Sequence, residues 1–124
     1  MPTGAVLIAE DDALVTEILT RICGELFAEV VVRNNGSDAL ELLGARPFDL
    51  LVTDLRMPGA SGLSLLSESR RRAPTCPMLL ISGYADDDAI QQARLLGAEV
   101  LHKPFGAKSL RAAIRTLCPA LGAP

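Results

Sequence analysis

Five strand-length runs alternate with five segments of helical periodicity along 124 residues, and that alternation leaves few folds open. The runs are Ala5 to Ala9, Val30 to Val32, Leu50 to Val52, Pro77 to Ile81 and Glu99 to Lys103, each too short for a helix. Ala5 to Ala9 and Leu50 to Val52 are apolar without alternation, the pattern of strands covered on both faces. Between them, Leu14, Ile18, Ile22 and Leu26, with Val15, Leu19 and Cys23 alongside, recur at helical spacing behind the acids Glu10-Asp11-Asp12. Asn34-Asn35-Gly36-Ser37 supplies turn and cap chemistry for a second helix from Asp38 to about Ala45, which Pro47 ends. Gly62 to about Arg72 reads as a third helix, with Leu63, Leu65 and Leu66 early and only Ser, Glu and Arg after, so its second half is weakly amphipathic. Asp86-Asp87-Asp88 opens a fourth, carrying Ile90, Ala93 and Leu96 and stopped by Gly97, and Leu110, Ile114 and Leu117 mark the last. Strand followed by helix five times predicts an α/β domain, a parallel sheet wrapped by helices on both faces, with residues 1–124 as one unit.

Composition narrows the class further. Hydrophobic residues make up 49% and aromatics only 3%, so the core is aliphatic. A net charge of −3 gives no reason to expect nucleic acid as the main partner, and Arg70-Arg71-Arg72 is short enough to be a solvated helix end. Cys23, Cys76 and Cys118 are widely spaced, with no CxxC and no nearby His, which predicts reduced thiols rather than a disulfide framework or a zinc site. The run Ala5 to Ala9 is far too short to span a bilayer and meets acids at once, so a soluble, cytoplasmic protein without membrane contact is expected.

In open parallel sheets, sites form beyond the carboxyl ends of the strands where strand order reverses. Four of the five strand exits carry polar chemistry: Glu10-Asp11-Asp12, Asp54, Ser82 and Lys103. The second carries only Asn34 and Asn35, as an edge strand in the order 2-1-3-4-5 should. Carboxylates gathered at one rim repel, and without counter-charge at least one titrates high. A divalent cation relieves this, and an all-oxygen donor set suits Mg²⁺ better than zinc. Mg²⁺ and the Lys103 ammonium together can neutralise a phosphoryl group, with Ser82 donating to one of its oxygens. Asp54, the lone acid at the central strand, is then the candidate nucleophile for an aspartyl phosphate. The plainer alternative, Asp54 as a cap and Lys103 as a rim ion pair, stays open on this evidence.

Glu10-Asp11, Asp54 followed by Met57-Pro58-Gly59 and Gly62, Ser82-Gly83, and Lys103-Pro104-Phe105, in this order and spacing, resemble the response regulator receiver domain of two-component signalling over nearly the whole chain. The resemblance implies a flavodoxin-like three-layer sandwich, a five-stranded parallel sheet of order 2-1-3-4-5 with five helices. It implies phosphoryl transfer to Asp54 from a sensor histidine kinase or phosphotransfer protein, with Ser82 and Lys103 on the phosphoryl oxygens. Mg²⁺ would be held by Asp11, Asp54 and the carbonyl of Arg56, with Glu10 acting mainly through water. Such a domain is not an enzyme but a phosphoacceptor that assists its own phosphorylation and dephosphorylation in the bacterial cytoplasm. Phosphodonor docking falls to Leu14 and Val15 at the start of the first helix. Output, to a homodimer or a downstream effector, falls to the fourth helix, fifth strand and fifth helix, without direct nucleic acid binding. The peptide between Lys103 and Pro104 should be cis.

Two positions depart from the family pattern: Val100 stands where an aromatic switch residue is usual, and Ser69 where an aliphatic residue normally completes the third helix. His102 should face away from the site, and Tyr84 should pack with its polar tip outward. Arg56 and Tyr84, two residues after Asp54 and Ser82, flank the phosphoryl position and predict a comparatively long-lived phosphoryl group. No DNA-binding or catalytic segment follows Leu117, which fits a stand-alone receiver or one cut from a longer chain. Three rivals fit less well. A haloacid dehalogenase-type phosphohydrolase needs Asp-x-Asp after its first strand, a nucleotide or flavin binder needs a GxGxxG or GxxxxGK[ST] motif that is missing, and a degenerate, unphosphorylated interaction module has no need of the intact acid, Ser and Lys set.

Overall fold

The computed structural model describes residues 2–83 and 86–121. Strands and helices alternate throughout: β1 (Ala5–Ala9), α1 (Ala13–Leu26), β2 (Glu29–Arg33), α2 (Gly36–Ala45), β3 (Leu50–Asp54), α3 (Gly62–Arg72), β4 (Met78–Ser82), α4 (Asp87–Leu95), β5 (Glu99–His102) and α5 (Ala107–Leu117). All strand pairs are parallel, in the expected order β2-β1-β3-β4-β5. Asp54 pairs with Ile81 and Ser82 with His102, so the carboxyl ends of β3, β4 and β5 finish nearly level.

Because side chains alternate along a strand, the sheet splits its residues between two cores. Leu7, Leu51, Met78 and Leu80 pack toward Ala39 of α2, Leu65 and Leu66 of α3, and Ala89 and Ala93 of α4. Ile8, Leu50, Val52, Leu79 and Ile81 pack toward Leu19 and Ile22 of α1 and Leu110 and Ile114 of α5. Every residue of β1, β3 and β4 is buried, whereas β2 and β5 are half open. Each fully buried Leu or Ile contributes about 1.5–3 kcal/mol relative to its exposed state, so the three central strands form the rigid shelf on which the polar rim stands.

The boundaries differ from the sequence reading where a side chain acts as a cap. α2 starts at Gly36, earlier than Asp38, because the Asn35 side chain accepts from Asp38 N at 2.8 Å. β5 stops at His102, leaving Lys103 just past its end. The second half of α3 is better anchored than its composition suggests: Ser69 is only 3% exposed, while Glu68 pairs with Arg71 and, at 2.6 Å, with Arg72. The Arg70-Arg71-Arg72 end is exposed, as expected. His102 is exposed, and Val100 is half-buried beside the α4 core. The Lys103–Pro104 peptide is cis, and the three cysteines are free thiols, with burial pushing Cys23 up to about 12. Among the described residues no helix is long and apolar enough to cross a membrane. Tyr84 lies outside the described residues.

Gly62 is where the fold meets the rim. Its N–H donates to Leu55 O at 3.0 Å. A Cβ at this position would run into the carbonyl of Asp54 and sit 2.9 Å from Leu55 Cα, so only glycine lets the start of α3 press against the strand end that carries Asp54. Gly62→Ala is therefore expected to lower stability by about 1–3 kcal/mol, read as a fall in the urea midpoint. An unchanged midpoint would mean that α3 can retreat at no cost.

Candidate functional site

The rim over β1, β3 and β5 is built from residues whose backbones the sheet holds level. Glu10 follows β1 and is 1% exposed; Asp54 ends β3 and is 5% exposed; Ser82 ends β4 and is 1% exposed. Lys103 enters from just beyond β5, its N–H donating to Ser82 O at 2.8 Å, and its stem runs over Gly83, where a Cβ would lie 3.3 Å from Lys103 Cδ. The Nζ stands between two carboxylates, 2.9 Å from Asp54 Oδ2 and 3.0 Å from Glu10 Oε1. Asp54 Oδ1 is fixed by Leu55 N at 2.7 Å, and Glu10 Oε2 by Asp11 N at 3.0 Å.

The three consecutive acids divide their work. Asp12 caps α1, its Oδ1 accepting from Leu14 N at 2.9 Å and Val15 N at 3.1 Å. That leaves Asp11, exposed, to face the rim. Glu10, Asp11 and Asp54 each present a carboxylate oxygen within 4.8 Å of the others, a grouping that can hold a metal ion. With all three ionised, the cluster carries three negative charges against the one ammonium that pairs with Glu10 and Asp54, and two stay uncompensated. Burial, then the neighbouring Asp54 carboxylate, push Glu10 up to about 7. Partial burial works against the Lys103 ammonium, but the Asp54 and Glu10 carboxylates outweigh it and hold Lys103 above its ordinary value.

Glu10 Oε1 is fully buried, and apart from the ion pair with Lys103 no well-directed hydrogen bond reaches it among the described residues. A buried carboxylate oxygen without such a partner is costly, and a cation beside it relieves the cost. The donor set is all oxygen, which fits a hard divalent ion.

The structure thus brings Glu10, Asp11, Asp54 and Lys103 together and puts Ser82 at the end of the adjacent strand. Arg56, two residues beyond Asp54, extends its side chain to Asp86, with Nη2 3.0 Å from Oδ2. The sequence reading took Asp86 only as an acid at a helix start. Its pairing with a residue 30 positions earlier leaves no local signal.

The family model of the response regulator receiver domain matches residues 6–115. The chain is 34% identical over 106 residues to the DNA-binding transcriptional regulator NtrC of Escherichia coli (strain K12), covering 85% of this chain and 23% of that protein. It therefore spans about a quarter of the length of that curated relative. The solution structure of the apo receiver domain of nitrogen regulatory protein C superposes with a TM-score of 0.79 at 31% identity, covering 96% of this chain and 98% of that one. A response regulator from Burkholderia pseudomallei with a phosphorylated aspartic acid, calcium ion and citrate superposes with a TM-score of 0.77 at 32% identity, covering 90% and 66%. By sequence, fold and the composition of its acidic rim, this chain belongs to the response regulator receiver domain family.

Proposed function

We propose that the domain, residues 1–124, accepts a phosphoryl group on Asp54 from the phosphohistidine of a sensor kinase or phosphotransfer protein and so switches a protein-binding surface. The observation that carries this reading is the Lys103 ammonium held between the Glu10 and Asp54 carboxylates at the end of the central strand. An Asp54 oxygen attacks phosphorus in line with the N–P bond. The O–P bond forms as the N–P bond breaks, and the departing imidazole nitrogen takes a proton from solvent. Lys103, already beside the acceptor oxygen, keeps its charge throughout and passes to a phosphoryl oxygen, while Ser82 donates its hydroxyl proton to another. Asp11, Asp54 and the Arg56 carbonyl would hold Mg²⁺, with Glu10 behind them. The ion supplies charge neutralisation for the phosphoryl oxygens when bound. The domain is a phosphoacceptor assisting its own modification and its reversal rather than an enzyme acting on a separate substrate. The phosphorylated aspartic acid in the Burkholderia pseudomallei regulator supports the same assignment here, and cytoplasmic location follows from the proposed donor.

Acetyl phosphate with Mg²⁺ tests it. Intact-protein mass spectrometry should show a single phosphoryl increment, and chelation should abolish it. A mass that never changes with any donor overturns the proposal.

The donor's grip is assigned to Leu14, which is 79% exposed beside the acidic rim, with half-buried Val15 next to it. Leu14→Ala is expected to slow kinase-dependent transfer about tenfold while acetyl phosphate labelling stays intact. Equal loss from both donors would trace instead to the fold. Output is assigned to α4, β5 and α5, as a homodimer contact or an effector surface.

A further inference from the structure

The Asp86 carboxylate is shared between two jobs. Its Oδ1 caps α4, accepting from Ala89 N at 3.1 Å, while its Oδ2 takes Arg56 Nη2 at 3.0 Å. One side chain thus ties the start of α4 to the loop that leaves Asp54. The tie spans a cleft of about 370 Å³ lined by Leu55, Arg56, Met57, Leu63, Asp86 and Ala89, so the helix start is not packed tightly against that loop. α4 itself buries Ala89, Ile90 and Ala93, of which only Ile90 is large. Val100, half-buried against the same core, has no ring to turn.

We infer that Arg56 is exchanged between Asp86 and the phosphoryl group of phosphorylated Asp54, and that this exchange is how the state of Asp54 reaches α4. The inference rests on the phosphoacceptor reading above. Its physical basis is a competition between two anions for one guanidinium. The Arg56–Asp86 pair is partly solvated, with side chains 57% and 33% exposed, and water weakens such pairs. Phosphorylation replaces a carboxylate with a group of about two negative charges and three acceptor oxygens, two residues from Arg56, and a planar guanidinium matches that group bidentately. Once Arg56 leaves, Asp86 stands next to Asp87 and Asp88 without that counter-charge, and the tether across the cleft is gone. The first turn of α4 is then free to shift, which is the motion the missing ring at position 100 would otherwise have to drive.

The test is amide hydrogen exchange in the first turn of α4, measured with and without saturating beryllofluoride and Mg²⁺ as the phosphoryl mimic. Fluorine NMR of the bound mimic supplies an independent readout of occupancy. In the wild type, exchange at Ala89 and Ile90 is expected to rise about tenfold on binding. In Arg56→Gln the mimic still binds, more weakly, but α4 already exchanges fast and changes less than about twofold. Asp86→Asn keeps a good cap and removes the competing charge, so the mimic should bind about fivefold more tightly than to wild type. An Arg56→Gln protein whose α4 responds like wild type overturns the exchange, and so does an Asp86→Asn protein with unchanged affinity. No bound-fluoride signal in the wild type instead overturns the phosphoacceptor reading itself, and the exchange with it.

Discussion

Asp54→Asn is expected to leave no labelled protein under acetyl phosphate and Mg²⁺, and to do so without any loss of stability. The amide is nearly the same shape, still accepts from Lys103, and lacks the anionic oxygen that attacks phosphorus. The stability half of the expectation separates chemistry from folding. Asp54 and Glu10 share one ammonium, and burial beside Asp54 is what pushes Glu10 up to about 7. Removing one of two crowded carboxylates relaxes the other, so the variant should unfold at an equal or higher urea concentration than wild type at about pH 8. Labelling that survives in Asp54→Asn would move the acceptor to another acid of the rim. Labelling lost together with a lower midpoint would mean that the acidic rim contributes to the fold in a way its charges do not explain.

Much of this arrangement is legible in the chain because the fold writes it in short-range patterns. The parallel sheet follows from strand and helix alternating five times, and its order, implied by the resemblance, agrees with β2 at the edge, whose exit carries only Asn34 and Asn35. Once the order is known, Glu10, Asp54, Ser82 and Lys103 must share a rim, since each leaves the carboxyl end of its strand. What the chain conceals depends on contacts between distant residues. Asp11 and Asp12 are chemically alike, and while the resemblance gives Asp11 to the site, the commitment of Asp12 to Leu14 and Val15 shows only in the α1 cap geometry. The second half of α3 reads as weakly amphipathic because its core-facing position is a serine, and nothing local shows that Ser69 is buried. The role of Asp86 as both cap and ion-pair partner joins positions 30 residues apart.

Lys103→Gln should be the most damaging single change to the fold at the rim, and the damage should depend on pH. At about pH 8 the variant leaves Glu10 and Asp54 facing each other without their shared cation, a loss of about 2–4 kcal/mol after allowing for the 22% of the Lys103 side chain that solvent reaches. At about pH 5.5 the loss should shrink, because Glu10, which already titrates near 7 with Lys103 present, takes up a proton and removes one of the two charges. The directions follow from linkage. Lys103 titrates above its ordinary value, so its favourable contribution is complete below about pH 10.4 and fades only at higher pH, leaving the window between 5.5 and 8 to Glu10. Glu10 also titrates above its unfolded value, so the fold gains from its protonation at low pH and loses that gain as pH rises through about 7. Combining Lys103→Gln with Glu10→Gln removes a charge of each sign and should recover most of the loss at about pH 8. Urea midpoints of the three proteins at both pH values decide the matter. A deficit that is the same at both, and that the double variant does not relieve, would assign the effect to the Lys103 stem packed over Gly83 rather than to charge.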